Sequence, residues 1–423
     1  MKIQPPSWHS IWFSVLFLLP LVGSVVGGSI APPPLRGFDL VELDPTQFEA
    51  SAALGVPVTI AASDRVWELQ VILYDLRAEN YRAVAQTDFG PLELPLEPVR
   101  SYKGTVIGNP DSVVRLALTD EGVEGYIRTS DDWVFIEPAS RYRRFAAPSE
   151  HVLYRTEDVA PLDPPPLCAA PDASGSTALG KTLSSFAGSR AASFRQLQIA
   201  TEADYEMYLA FGSSAAAVNN HILQILVLVE GIYEHDLGIT YQVVFQHVWA
   251  TSNDPYTTNE ACGAGTNLLD QFRDYWTANY AGINRDTAHL WTGKDICVSS
   301  IPPPNQCSVI GCAYGGAGSG ALCNSFAYGE SENFSANLNN LVLLTAHEIG
   351  HNHGSGHDTD PCPNAIMRAS LQSCATNFSP TAIGWIGSYT NGLSCLTNVT
   401  PRRLLVGPAA GNTVRRYEPA GSP

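Results

Sequence analysis

The chain has 423 residues, a formal net charge of −17 and nine cysteines. This length allows two or three domains, each large enough to bury its own core. The excess of negative charge excludes nucleic acids and anionic membrane surfaces as favourable partners, because both would be repelled.

The first 28 residues have the three parts of a secretory signal peptide. Lys2 precedes an apolar run at 11–22, and small residues follow at 23–29. The run is shorter than the ~20 residues that a membrane-spanning helix needs, and Pro20 interrupts it. Because no other long apolar run follows, we expect a secreted mature protein without a membrane span, in a compartment where cysteines can form disulfides.

Residues 29–159 are predicted to form a β-rich domain. Runs of branched and aromatic residues at 67–74, 112–118 and 133–136 are typical of strands, and a turn signal lies at 109–112. This stretch contains no nucleophile or metal-ligand cluster, and cysteine is absent before Cys168. The pattern predicts hairpins that form an antiparallel sheet.

Residues 160–195 have the composition of a linker, rich in Pro, Ala, Ser and Gly. Exposed linkers are where proteases cut, so we predict a maturation site between Arg190 and Arg195. The odd cysteine of the nine, Cys168, lies in this segment after three prolines.

Residues 196–400 alternate between strand and helix patterns. Strands are predicted at 196–200 and 239–245, and apolar residues at helical spacing predict helices at 219–235 and 267–280. This alternation predicts an α/β layer arrangement. The tail, residues 401–423, contains no recognisable module.

Four of the ten histidines lie within eleven residues. On a helix, His347 and His351 stand one turn apart on one face and can bind one cation. Gly354 allows a sharp change of chain direction that brings His357 back as a third ligand, and three protein ligands leave the open position of a catalytic zinc. Glu348 can then take a proton from a water molecule whose pKa the zinc lowers to about 7. The alternative is a solvated histidine-rich helix.

These residues match H-E-x-x-H-x-x-G-x-x-H, and Met367 follows them. The pattern resembles the metzincin metallopeptidases, in which such a methionine sits in a turn beneath the zinc. Asp358, after the third histidine, resembles the reprolysin (adamalysin) branch. The stretches His289-Leu-Trp-Thr-Gly293 and Gly392-Leu-Ser-Cys-Leu396 also resemble that branch, and residues 102–114 are similar to reprolysin propeptides.

The resemblance implies an α/β metzincin-type catalytic domain, with a mixed sheet and a long active-site helix at about 337–352, preceded by a β-rich propeptide domain. It implies a secreted zinc endopeptidase made as a zymogen, with Glu348 as general base, protein or peptide substrates, and its own propeptide as inhibitor. Three alternatives stay open. The β-rich domain could be an accessory or binding domain retained in the mature protein. The whole protein could be a noncatalytic binding protein on this scaffold, or a zinc hydrolase of nonpeptide amides.

The remaining eight cysteines fall within residues 196–400, and this even number predicts four disulfides. We predict one pair, Cys362 with Cys374, because these residues flank the Met367 turn, as short bridges do in reprolysins. Reprolysin propeptides often end with a cysteine that binds the zinc, and Cys168 is the candidate here, although Ala169 follows it where the family commonly has Gly. The alternative for Cys168 is an intermolecular cysteine.

Three further expectations come from the resemblance. Residues 325–328 should belong to an edge strand, and edge strands can hold an extended peptide by main-chain pairing. His353 fits no ligand position and should be exposed or lie beside the ligands. Gln198 stands where many reprolysins have a calcium-binding acid, which makes calcium doubtful.

Overall fold

The computed structural model describes residues 35–130, 132–169, 194–263, 265–299 and 307–400. Three predictions concern segments that lie outside the described residues. They are the signal peptide at 1–28, the part of the linker at 170–193 with Arg190, and the tail at 401–423.

Residues 35–159 are β-rich, which confirms that part of the prediction. Most of their strands form one antiparallel sheet, here called the N-terminal sheet, in the order β1-β10-β9-β8-β7-β6-β3-β2. The elements are β1 Asp39–Glu42, α1 Pro45–Leu54, β2 Val58–Ala61, β3 Val66–Leu73, β4 Arg77–Thr87, β5 Gly90–Glu93, β6 Ser101–Val106, β7 Asn109–Leu118, β8 Val123–Arg128, β9 Trp133–Pro138, a short 3-10 helix Ala139–Arg141, β10 Glu150–Arg155 and a second 3-10 helix Thr156–Asp158.

The N-terminal sheet is buried on both faces at its centre. Because side chains alternate along a strand, Val134 and Ile136 of β9 enter a core that α1 covers, where Phe48 packs against neighbouring apolar residues. Trp133 and Phe135 point to the opposite face and enter a second core shared with residues beyond 194. The continuous apolar run at 133–136 is therefore the pattern of a strand with no solvated face.

The remaining elements surround a mixed sheet, here called the main sheet, which confirms the predicted α/β arrangement. Its order is β11-β15-β16-β14-β12-β13-β4-β5, with β17 also pairing with β12. These elements are β11 Leu167–Cys168, β12 Phe194–Ala203, α2 Tyr205–Ala210, α3 Ala215–Leu237, β13 Ile239–Trp249, α4 Leu268–Asn279, β14 Thr287–Thr292, β15 Val309–Ala313, β16 Tyr328–Glu332, α5 Leu338–Asn352, α6 Pro380–Thr390 and β17 Thr397–Val399.

Two strands of the N-terminal part belong to the main sheet. Strand β4 pairs in parallel with β13, and β5 pairs antiparallel with β4. The two parts of the chain therefore share hydrogen-bonded backbone as well as side-chain contacts, which the sequence did not predict.

The edge strand predicted at 325–328 is wrong. Tyr328 begins β16, which lies inside the main sheet between β14 and β15. Strand β15 lies next to β16 in the sheet order, and the two-residue strand β11 pairs with β15 in parallel.

Helix α3 lies between the two sheets. Ser214 caps its N-terminus, Gly238 ends it in the left-handed conformation with φ of 67°, and every residue from Gln224 to Tyr233 is buried. Within the described residues, α3 is the one helix long and apolar enough to cross a membrane. Burial between two sheets accounts for this composition, since a helix enclosed on all sides is apolar all round.

Candidate metal centre

Helix α5 carries the first two histidines of the motif. The side chain of Asn337 caps the helix by accepting a hydrogen bond from the backbone N–H of Asn340 at 3.2 Å, and every residue of the helix is buried. Because an α-helix has 3.6 residues per turn, His347 and His351 face the same side, with ring centroids 4.7 Å apart.

Backbone carbonyls hold both rings in one orientation. Nδ1–H of His347 donates to the carbonyl of Ile366 at 2.6 Å, and Nδ1–H of His351 donates to the carbonyl of Ser355 at 2.8 Å. The Nε2 atoms therefore carry lone pairs, and they face each other at 3.0 Å. Burial and the two neighbouring histidines hold the pKa of His347 well below its usual range. Two lone pairs this close, on groups that resist protonation, fit a shared metal cation.

The third histidine comes from the chain beyond α5. Gly354 turns the chain with a φ of +87°, a conformation that favours glycine. His357 then lies with its ring centroid 5.2 Å from His347 and 4.8 Å from His351. One ligand atom from each histidine and the sulfur of Cys168 lie within 4.8 Å of one another. Three imidazoles and a thiol suit zinc.

Met367 lies directly beneath α5 in the turn that also supplies the carbonyl of Ile366. It is fully buried, and a Cβ added at Gly350 would lie 2.6 Å from its sulfur, so this turn requires glycine within the motif. Asp358 fixes the turn from the other side. Its N–H donates to the carbonyl of Met367 at 2.9 Å, and its carboxylate accepts from the hydroxyl of Ser379, the N-cap of α6, at 2.6 Å.

Glu348 lies between α5 and strand β15. A Cβ at Gly311 of β15 would collide with the Glu348 carboxyl group, so glycine leaves room for that side chain. Glu348 is fully buried, and burial raises its pKa to about 8. Its Oε2 lies 3.5 Å from the sulfur of Cys168.

Residues 160–169, here called the strap, bring Cys168 beside these groups. N–H groups of Leu167 and Ala169 donate to the carbonyls of Ser308 at 2.7 Å and Gly311 at 3.0 Å, along the edge of β15. On the other side, the N–H of Cys168 donates to Ala369 at 2.9 Å, and the N–H of Leu371 donates to Pro166 at 2.9 Å. The sulfur of Cys168 is thereby held 3.5 Å from Nε2 of His351.

A protein-family model matches the part of the chain that contains the three histidines. The model Reprolysin_5, described as metallo-peptidase family M12, matches residues 193–400. This stretch is a reprolysin-like M12 metallopeptidase domain. The match begins one residue before Phe194, the first residue of β12.

A solved structure is also similar to the chain. Metalloproteinase-II from Bacteroides fragilis matches with a TM-score of 0.47 and 12% sequence identity, over 82% of this chain and 96% of that chain. Likeness at this level adds nothing to the assignment of the M12 domain.

The structure brings the three motif histidines, Glu348 and Met367 of the M12 domain together with Cys168, from 180 residues upstream of Glu348. His353 lies outside this cluster and is fully buried. Its ring nitrogen Nδ1 is 2.9 Å from the carbonyl of Ile349 and its ring packs on Tyr233. Of the two positions expected for His353, the exposed one is therefore wrong, and a position beside the ligands stays a prediction.

The groups that orient the histidines could not be predicted from the sequence, because they are the backbone carbonyls of Ile366 and Ser355. The two glycines that make room for functional side chains were not predicted either. Gly350 and Gly311 could have been noticed only as glycines within a helix and a strand, where glycine is otherwise unfavourable.

Four disulfides brace the M12 domain. They are Cys262–Cys312, Cys297–Cys307, Cys323–Cys395 and Cys362–Cys374. The last of these pairs closes a loop of chain that contains Met367.

The pairing of Cys362 with Cys374 can be checked chemically. Peptide mapping of the protein under nonreducing conditions should give one linked peptide pair that contains these two residues. Cys323 with Cys395 serves as an internal control, because it joins residues much farther apart in sequence. A linkage from Cys362 to any cysteine other than Cys374 would contradict the pairing.

Proposed function

We propose that the protein is a secreted zinc endopeptidase made as a latent zymogen. The observation that carries this proposal is the convergence of three histidine side chains beside a buried carboxyl group, at the edge of a strand that can bind an extended chain. Membership of the M12 family supports the same function.

His347, His351 and His357 would hold the zinc ion. Their fit to it rests on the orientation of the two α5 rings, whose Nδ1–H groups are already engaged by carbonyls. When bound, zinc supplies Lewis acid chemistry, polarising a carbonyl group and lowering the pKa of water to about 7.

Glu348 would move the proton. Its carboxyl group faces the same space as the histidine nitrogens, through Oε2. In this role Oε2 takes a proton from the attacking water and then donates it to the nitrogen of the leaving amine, while the peptide C–N bond breaks. Burial of the carboxyl group, with Gly311 against it, excludes competing water from its other oxygen.

A substrate would bind as an extended chain along β15. The strap already uses the carbonyls of Ser308 and Gly311 on one side and main-chain groups of residues 369–371 on the other. A peptide substrate needs the same kind of main-chain pairing, so the strap and a substrate compete for one cleft.

Cys168 would keep the zymogen latent. A thiolate is a good zinc ligand, and this sulfur lies 3.5 Å from both Glu348 Oε2 and His351 Nε2. It therefore occupies the space where a reacting water would have to stand. Cleavage near Arg190 to Arg195 and release of the strap would open the site.

The activity itself is tested by incubating activated protein with an unfolded protein substrate, with and without a chelator. Chelator-sensitive cleavage of peptide bonds supports the proposal. Absence of cleavage would favour the noncatalytic binding protein, and chelator-sensitive hydrolysis of small amides alone would favour the nonpeptide amidase.

Replacement of Glu348 should separate catalysis from metal binding. Glu348→Ala retains all three imidazoles, so we expect zinc at one ion per chain together with a loss of peptidase activity of about 10²–10⁴-fold. His351→Ala, one turn along the same helix, should instead lose the metal and melt at a lower temperature. Zinc content by atomic absorption and turnover of a fluorogenic peptide measure both effects. Near-normal turnover by Glu348→Ala would contradict its role as the base.

Replacement of Cys168 should remove latency. Uncut Cys168→Ser protein should cleave peptides without prior proteolysis, because a hydroxyl is a poorer zinc ligand than a thiolate. Thiol-reactive mercurials should likewise activate the native zymogen. Ala169→Ser is the matched control, since it changes the next residue of the strap and keeps the sulfur, and it should remain latent. If uncut Cys168→Ser is as inactive as the native zymogen, the strap blocks the cleft without help from sulfur.

A further inference from the structure

The N-terminal domain, residues 35–159, makes far more extensive contacts with the M12 domain than the strap does. We propose that this domain is a permanent noncovalent subunit of the enzyme, so that a cut within residues 170–193 frees the strap while the domain stays bound. The role of the cut in activation rests on the function proposed above. The association of the two fragments does not depend on peptidase activity.

The two domains share one apolar core. Tyr126, Trp133, Phe135 and Tyr154 of the N-terminal sheet are all buried in the same cluster as the residues of α3. These rings contact one another, with centroids 5.2 Å apart for Tyr126 and Trp133 and 5.8 Å for Phe135 and Tyr154. Departure of the domain would expose this face and the apolar face of α3, and proteins rarely expose continuous apolar patches above a few hundred Å².

Side chains of the N-terminal domain account for the presence of glycine at position 231, in the middle of α3. A Cβ at this position would lie 2.7 Å from Cγ of Arg115 and would collide with the hydroxyl of Tyr126. That hydroxyl donates to the carbonyl of Leu228, one turn earlier in α3, at 3.0 Å. Glycine is unfavourable within a helix, so its presence here fits a surface shaped to receive Tyr126 and Arg115.

Buried charges of the M12 domain are neutralised by the N-terminal domain. Glu230 of α3 is fully buried, and Arg115 donates to it at 2.8 Å. Arg115 and Lys103 lower the pKa of Glu230, opposing the effect of its burial, and both cations belong to the N-terminal domain. Six residues later in α3, Asp236 accepts from Arg128 at 2.8 Å. Removal of the domain would leave Glu230 without Arg115 and Asp236 without Arg128.

The N-terminal domain also supports the active-site helix. Glu137 of β9 is fully buried and accepts a hydrogen bond from the backbone N–H of Leu338, the first residue of α5, at 3.2 Å. A carboxyl group at this position satisfies an N–H that the helix itself leaves unpaired. The pairing of β4 with β13 extends the main sheet from the same domain.

The strap is held differently. Its main-chain bonds to β15 and to residues 369–371 are confined to residues 166–169. No disulfide among the described residues joins residues 35–169 to the M12 domain, because all four pairs lie between Cys262 and Cys395. After a cut, only noncovalent contacts decide which part stays.

The test uses the full chain with a recognition sequence for a site-specific protease inserted after Gly180. Glu348→Gln in this background prevents self-digestion and makes the result independent of peptidase activity. After complete cutting, a denaturing gel should show two fragments, and native size-exclusion chromatography should show one species at the elution volume of the uncut protein. Elution of the N-terminal fragment as a separate species would overturn the proposal.

Gly231→Ala tests whether the α3 surface carries the association. Alanine favours the helix itself, so a loss of association must come from the collision with Tyr126 and Arg115. We expect the cut variant to release its N-terminal fragment at a lower urea concentration than the cut parent. Gly387→Ala is the matched control, a helical glycine of α6 with open space around its Cβ position, and it should behave as the parent. Equal retention by the two variants would overturn the proposed interface, and the result for the parent stands even if Gly231→Ala fails to fold.

Discussion

The enclosure of helix α3 between two sheets is the constraint on which the rest of the structure depends. Each large apolar side chain that it buries is worth roughly 1.5–3 kcal/mol, and its central residues have no solvated face. From this helix, the hydroxyl of Tyr233 donates to the carbonyl of Ala346 in α5 at 2.8 Å. The position of α3 therefore sets the position of α5, and α5 sets the direction in which His347 and His351 point.

The parts of the site that could be predicted from the sequence are those encoded locally. Helical periodicity alone places His347 and His351 on one face, and Gly354 predicts the turn that brings His357 back towards them. The bounds predicted for α3, α4 and α5 lie within about four residues of those in the structure, because periodic apolar residues and side-chain caps both act over one or two turns.

The parts that could not be predicted depend on pairing between distant segments. The pattern of apolar and polar residues in β4 does not predict that β4 pairs with β13. A strand of two residues such as β11 is too short to show any pattern. The edge strand was misplaced for the same reason, since strand order is a property of the whole sheet. The burial of His353 could not be predicted, because it depends on a backbone carbonyl within reach of Nδ1 and on the ring of Tyr233, which packs against it.

The strap and the rest of residues 35–169 contact the M12 domain through interactions that differ in kind and in number. The strap is retained by main-chain hydrogen bonds of residues 166–169, each worth about 0.5–1.5 kcal/mol net, and by the contacts of the Cys168 sulfur with Glu348 and His351. A competing peptide can form main-chain hydrogen bonds of the same kind. The domain body is retained by a shared apolar core and by two ion pairs, Arg115 with the buried Glu230 and Arg128 with Asp236. A cut after the strap breaks the covalent link from residues 35–169 to the M12 domain. The strap, which has the fewer contacts, then leaves the site, and the domain body stays bound.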